Sequence, residues 1–278
     1  MSDPGFFAVR VLRQKLHVAY LHGIGAGTQL PAFLYLEGNS MKIRSVLPAL
    51  AAVFLSLCAG AVHAADAACA IPRNVSYVDY DVKPSDEKNT CYKQSTNVPT
   101  DYFMLALSWS PGFCDSQRRR GEVSKKAAFQ CAESNHFGWI VHGLWAQSDN
   151  PASCDDISVT PPRKTELHPR YCKGNLPKLA PSDILPYMCM QPGEALLQGE
   201  WEKHGACDFD TAKAYFEKER ELFQALKLPD TTMPKNELFQ WMKQHNPQLK
   251  GRWLGYEKHS GELRICYSTD FKVIDCKK

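Results

Sequence analysis

The sequence predicts an α+β fold: a single domain with helices packed on a central antiparallel β-sheet, stabilised by disulfides. Three observations carry this. Strand-like and helix-like segments follow one another without the regular β-α alternation of a parallel sheet. The first strong strand, "DYFMLALSWS" at 101–110, is apolar on both faces and therefore central in its sheet. Ten cysteines follow residue 64, an even number that in an exported chain reads as up to five disulfides.

Export is read from the sequence after Met41, "MKIRSVLPALAAVFLSLCAGAVHAADAACA". Lys42 and Arg44 open it, an apolar run covers 46–57, and Val62-His63-Ala64 offers small residues at the positions a signal peptidase reads. Residues 41–64 are thus expected to be a cleaved signal peptide, too short and too Pro-interrupted to span a bilayer. Leu57 before Cys58 is larger than lipoprotein processing accepts. Residues 1–40 precede a complete signal and read as a non-native upstream extension or leader, with synthesis starting at Met41. The domain is then 65–278, long enough for one real core. It carries 28 basic and 28 acidic residues, so an anionic partner must be held by a local patch and not by global charge. The expected protein is a monomer without stable membrane association after signal cleavage. It would be periplasmic in a Gram-negative source and secreted otherwise.

Residues 65–100 are polar and weakly periodic, an arm pinned by Cys69 and Cys91. Along the first strand Tyr102, Met104, Ala106 and Ser108 alternate with Phe103, Leu105, Leu107 and Trp109. Pro111-Gly112 breaks it, and "PGFCDSQRRRGEVSKK" reads as a basic loop. A second strand covers "HFGWIVHGLW". Residues 148–180, rich in Pro, Ser and Asp, form a long loop closed by cysteines. "PSDILPYM" starts a helix capped by Ser182, and "GEALLQGEWEKHG" is helical up to Gly205. Over 210–228, Ala214, Phe216, Leu222, Phe223 and Leu226 supply the apolar side of an amphipathic helix, capped by Asp210 and stopped by Pro229. "PKNELFQWMKQH" is a further helix, ended by Pro247. The tail "RWLGYEKHSGELRICYSTDFKVIDC" gives three short strands, with a turn at Ser260-Gly261 between the first two.

Two short clusters carry chemistry, "IVHGLWAQ" at 140–147 and "GEWEKHGAC" at 199–207. Strand alternation puts Gly138, Ile140 and His142 on one face, low in bulk and bearing one imidazole; Phe137, Trp139 and Val141 take the other. A lone histidine there is more often structural. The second cluster changes this. On a helix Glu200, Lys203 and His204 share one face, Trp201 turns into the core, and Glu202 turns toward solvent. Gly205 ends the helix and Cys207 ties it down. Taken alone this is an ordinary solvated ion-pair face. Together the clusters offer two histidines, a carboxylate and a cation, a set suited to in-line displacement at a phosphodiester. Histidine fits because it holds either protonation state near working pH. An internal 2′-hydroxyl nucleophile needs no metal and restricts the substrate to RNA. No C-x-x-C occurs; His204 and Cys207, three apart, could share a metal as a minor alternative, and no metal or cofactor is expected.

"FGWIVHGLWAQ" and "EWEKHGAC" resemble the two active-site segments of the T2 family of secreted ribonucleases, whose usual forms are HGLWP and EWxKHG(T/S)C. "LALSWSPGFC" resembles that family's first core strand and turn, and "ELRICYSTDFKVIDC" its closing hairpin, so the resemblance spans roughly 101–276. It implies a ribonuclease T2-like fold and a single-stranded RNA substrate. His204 would be the general base and His142 the general acid, with Glu200 and Lys203 stabilising the pentacoordinate phosphate. Trp145 would stack on the base and Gln147 would sit beside it. The product would be a 2′,3′-cyclic phosphate, later hydrolysed to a 3′-phosphate. The resemblance also implies a disulfide from Cys207 to Cys154 or Cys172; Cys114 with Cys131 and Cys266 with Cys276 are further pairs it suggests. Three departures stand out. Ala146 replaces a proline; Gln147 replaces an aspartate that in some members favours one base, so weak base preference is expected; Gly199 replaces a further histidine.

Arg118, Arg119, Arg120, Lys125 and Lys126 form a basic stretch that either tracks RNA or is simply solvated. His136 and His168 are read as structural. Two competitors were weighed. A carboxylate-based hydrolase using Glu200 and Glu202 fails because the two side chains diverge on one helix and both histidines go unexplained. A non-enzymatic binding protein on the same fold would be expected to have lost a histidine.

Overall fold

β1 (Tyr102–Trp109) is the centre of a five-stranded sheet, as its two apolar faces require. On one side it pairs antiparallel with β2 (Trp139–Gln147), from Tyr102 opposite Gln147 to Trp109 opposite Trp139. On the other it pairs with β6 (Glu262–Ser268), from Tyr102 opposite Ser268 to Leu107 opposite Leu263. The free edge of β6 is shared by β5 (Gly255–Glu257) and β7 (Val273–Ile274), also antiparallel. The computed structural model describes residues 69–71 and 90–277, all within the unit Ala59–Lys278. The expected leader, the signal peptide and most of the 65–100 arm lie outside them. Among the described residues, no helix is long and apolar enough to cross a membrane.

One sheet face is the core. Leu105 and Leu107 are fully buried against Trp201, Tyr215, Phe216, Leu238 and Met242. These come from three helical segments: α4 (Glu194–Glu200) with its continuation, α5 (Ala212–Gln224) and α6 (Lys235–His245). A short helix α1 (Thr90–Ser95) is tied to the loop after β2 by Cys91–Cys154. The other four disulfides are Cys69–Cys189, Cys114–Cys131, Cys172–Cys207 and Cys266–Cys276. Of the two partners left open for Cys207, the structure selects Cys172.

Several elements differ from the sequence expectation. Residues after β1 form a helix and not a loop: α2 (Ser110–Arg119). Pro111 sits in its first turn, where a missing N–H costs nothing, and Arg118 and Arg119 lie in its last turn, at the negative end of the helix dipole. α3 (Pro181–Ile184) starts from Ala180 with Pro181 at its first position, so Ser182 is inside the turn and not its cap. α5 is capped by Thr211, whose side chain accepts from the Ala214 amide at 3.2 Å, and not by Asp210. Ala214 is exposed, and Tyr215 takes the buried position beside it. The 148–180 loop contains a hairpin, β3 (Ser153–Asp156) and β4 (Arg163–Glu166).

The helix after α4 does not stop at Gly205. It widens into a π-helical turn, Trp201–Gly205, and closes with a further turn, Ala206–Asp208. Gly205 has ordinary helical angles, φ −60° and ψ −40°, and its role is packing. A Cβ there would lie 2.6 Å from the Tyr215 ring and 2.8 Å from that of Trp201. Glu202 is also not solvent-facing: it is fully buried and accepts from Gln198 Nε2 at 2.6 Å and from the Leu176 amide at 3.3 Å.

Candidate active site

The face of the sheet opposite the core is cleared by small residues. Gly143, Ala106 and Gly255 stand in one row across β2, β1 and β5, interrupted only by Arg264 on β6. β2 is not a regular strand there. Ala106 pairs with Gly143 and Leu107 with Val141, which leaves His142 as the extra residue of a β-bulge. Simple alternation is therefore broken: Ile140 and Val141 are both buried, while the His142 side chain is 38 % exposed. Gln191 holds the bulge by donating from Nε2 to the His142 carbonyl at 2.8 Å.

Gly143 leaves space that the site fills. A Cβ on it would sit 2.1 Å from Glu200 Oε2 and 2.5 Å from Trp145 Nε1. Those two atoms form a hydrogen bond of 2.7 Å, the indole donating. Glu200 comes from the last turn of α4 and is nearly buried. Its other oxygen, Oε1, is 3.7 Å from His142 Nε2, and Oε2 is 3.9 Å from His204 Nε2. Trp145 stands between the histidines, edge-on to His142 at 5.2 Å and stacked on His204 at 5.4 Å.

His142 is clamped from the far side by Glu262, the first residue of β6. His142 Nδ1 donates to Glu262 Oε2 at 2.7 Å. Arg264 Nε donates to Glu262 Oε1 at 3.0 Å, and its guanidinium lies 5.5 Å from the Trp145 ring centre. Burial works against the charged imidazolium of His142, but the Glu262 hydrogen bond and the charges of Glu200 and Glu262 outweigh it and raise its pKa. Burial likewise opposes ionised Glu262, yet the His142 bond and charge, with Arg264, hold it below the usual carboxylate range. His204 goes the other way. It is 3 % exposed, and burial, followed by Lys203, Arg170 and the other histidines, pushes its pKa well below the ordinary value. Its Nδ1 has no hydrogen-bond partner among the described residues.

Glu200 lines one cleft and Trp145 another. The smaller, about 300 Å3, is lined by His142, Glu200, Lys203, Gly199 and Lys126 together with apolar side chains. The larger, about 970 Å3, is lined by Trp145, Gln147, His168, Arg170 and Arg264 among others. The sequence-derived set is thus assembled: His142, Trp145, Glu200, Lys203 and His204 converge, and Gln147 lies in the wall of the larger cleft. Gln147 is itself buried, and its Nε2 donates to the Ala146 carbonyl at 2.8 Å. Of the basic stretch, Lys126 reaches the smaller cleft, while Arg118 pairs with Asp115 at 3.2 Å. His136 is exposed and lies off β2. His168 accepts from the Ser148 amide at 3.1 Å. Among the described residues, no group of three or more His, Cys, Asp or Glu is placed to hold a metal.

Glu262, Arg264 and Arg170 were missed by the sequence reading. The first two had a signal. Charged residues at alternate positions of a strand with apolar neighbours, "ELRIC", mark a polar sheet face.

The sequence of the chain matches the family described as Ribonuclease T2 family over residues 100–248. A "Probable ribonuclease" of Haemophilus influenzae is 47% identical over 203 residues, 72% of this chain and 69% of that protein. A "Ribonuclease" of Aeromonas hydrophila is 30% identical over 109 residues, 38% of this chain and 37% of that protein. Among solved structures, that of trichomaglin, described as an S-like ribonuclease, covers 64% of this chain and 92% of its own at 20% identity and a TM-score of 0.44. The family match and the Haemophilus relative define the class: this is an RNA-cleaving enzyme, an endoribonuclease. The chain belongs to the Ribonuclease T2 family.

Proposed function

We propose that the enzyme cleaves single-stranded RNA without a metal, by transesterification to a 2′,3′-cyclic phosphate that it then hydrolyses to a 3′-phosphate. The 2′-oxygen attacks phosphorus and its proton passes to His204. The bond to the 5′-oxygen breaks and that oxygen takes a proton from His142. Water, with the two roles reversed, opens the cyclic phosphate. Lys203 and Glu200 flank the phosphate, Lys203 stabilising its growing negative charge. Trp145 offers a stacking face for the base. The neutral amide of Gln147, engaged with Ala146, fits weak base preference. We also propose that the domain begins after the signal at 41–64 and acts as a monomer outside the cytoplasm.

One observation carries this reading: a single carboxylate, Glu200, lies 3.7 Å from His142 and 3.9 Å from His204, and the pKa directions of the two histidines, raised and lowered, agree with it. A raised pKa keeps His142 protonated as an acid should be, and a lowered one keeps His204 free to accept a proton. Burial of His204 at 3 % exposure favours a second reading. In it Glu200, which lines the cleft, takes the 2′-proton, and His204 fixes the orientation of Glu200.

Cleavage of a dinucleotide set by residues 65–278 in EDTA, following cyclic phosphate release, tests both. Loss on the order of 10² or more in both His142→Ala and His204→Ala supports the acid–base pair. A small loss in His204→Ala with a large one in Glu200→Gln moves the base to Glu200. Loss of wild-type activity in EDTA removes the metal-free mechanism.

A further inference from the structure

The larger cleft runs past Trp145 to surfaces the reaction does not use. One wall is a face of α6, where Lys235, Phe239 and Lys243 recur every four residues and all line the cleft. Leu238 and Met242, on the other face of α6, are fully buried in the core, which fixes that orientation. Across from it stand Tyr256, edge-on to Phe239 at 6.3 Å, and Trp253. Trp253 is 60 % exposed, yet its backbone is held at both ends. Its amide donates to Asp275 Oδ1 at 3.0 Å, and its carbonyl accepts from the Cys276 amide at 2.9 Å. A largely exposed indole on a rigid mount offers a face for stacking.

Charge points the same way. Among the described residues, Lys235, Lys243 and Arg170 form no ion pair with a carboxylate, although all three line this cleft. The ammonium of Lys235 lies 5.4 Å from the Phe239 ring centre. Two lysines two helical turns apart, about 12 Å, can meet separate phosphates of one strand. Cations interleaved with rings, here the half-buried Phe239 and Tyr256 and the exposed Trp253, suit a single-stranded nucleic acid. A volume of about 970 Å3 lies at the upper end of the range for binding pockets, more than a single stacked base needs.

We propose that Trp253 and the Lys235–Phe239–Lys243 face form an extended subsite that holds RNA nucleotides beyond the one stacked on Trp145. The inference rests on the catalytic reading above and makes the enzyme selective for polynucleotides over dinucleotides. Trp253 stacks on a base, and Lys235 and Lys243 engage the backbone on either side of it.

The test compares Trp253→Ala and a Lys235→Ala/Lys243→Ala double variant with wild type on a dinucleotide and on a ten-nucleotide RNA. Binding of a 2′-deoxy ten-mer, which lacks the nucleophile, is measured in parallel by fluorescence anisotropy. Dinucleotide cleavage should be unchanged in both variants. On the ten-mer, kcat/KM should fall about tenfold for Trp253→Ala, within the range for loss of one base stack. Ten-mer affinity should fall by a similar factor. The double variant should lose part of its salt dependence, its log–log slope flattening by about 1.4 for two phosphates. Unchanged ten-mer binding and cleavage in both variants overturns the subsite. An equal fall on both substrates also overturns it, because the residues would then serve the reaction centre. If wild type cuts neither substrate, the catalytic reading fails, and the 2′-deoxy ten-mer still decides the subsite.

Discussion

At Gly143 a single hydrogen atom stands where any other side chain would strike Glu200. Gly143→Ala puts a methyl group into the Trp145–Glu200 hydrogen bond. Displacement by about 1 Å at such a contact can cost on the order of 10² in rate. A kcat/KM loss of that order is expected on a dinucleotide, together with an overpacking loss of about 1–3 kcal/mol in stability. Glu262 makes a different prediction. Its hydrogen bond and charge raise the pKa of His142, so Glu262→Gln should lower it. The alkaline limb of the kcat/KM profile then moves to lower pH, read directly from pH–rate curves. Stability follows the same signs. The raised pKa of His142 contributes fully below its unfolded value of 6.5 and is lost as pH rises through the folded value. The lowered pKa of Glu262 contributes fully above 4.5 and is lost as pH falls through its folded value. The pair is worth most between those two unfolded values. At this scale the two compact segments held His142, Trp145, Glu200, Lys203 and His204 in view, while the buried Glu202 and the bulge at His142 were not legible in them. Nor was Glu262, because it reaches His142 across β1, more than a hundred residues along the chain.

Elements were legible where burial follows a period. α5 and α6 show one, β1, β2 and β6 stand out instead as short apolar runs, and all five form. α2 was hidden because Pro111-Gly112 suggests a break, whereas proline in a first turn suits a helix start. The β3–β4 hairpin was hidden because its "SCDD" and "RKTE" strands carry almost no apolar signal. The π-helical turn leaves no mark on the pattern, since Trp201 remains in the core. Its position depends on contact with α5, where Tyr215 packs on Gly205 and shares hydrogen bonds with both backbone groups of Leu144 on β2. Gly205→Ala should therefore overpack this junction and cost about 1–3 kcal/mol. Urea unfolding should show this as a lower midpoint at an unchanged slope.

For the whole molecule, chain connectivity matters more than any one contact. In the order in which they occur, the ten cysteines after residue 64 are joined first to seventh, second to fifth, third to fourth, sixth to eighth and ninth to tenth. The widest, Cys69–Cys189, spans 120 residues and in chain-entropy terms is worth about 5 kcal/mol, against about 3 kcal/mol for Cys266–Cys276 across 10. An oxidant that joins thiols strictly in the order of the chain would pair neighbours. It would make Cys114–Cys131 and Cys266–Cys276 correctly and the other three wrongly. From such a sequential start the native set is reached only by exchange among mispaired thiols. Reduced 65–278 protein reoxidised in a glutathione buffer, or with a disulfide isomerase, should recover far more activity than protein reoxidised by a rapid oxidant alone. If that difference is found, the yield of active nuclease becomes a readout of thiol exchange in whichever compartment the chain folds.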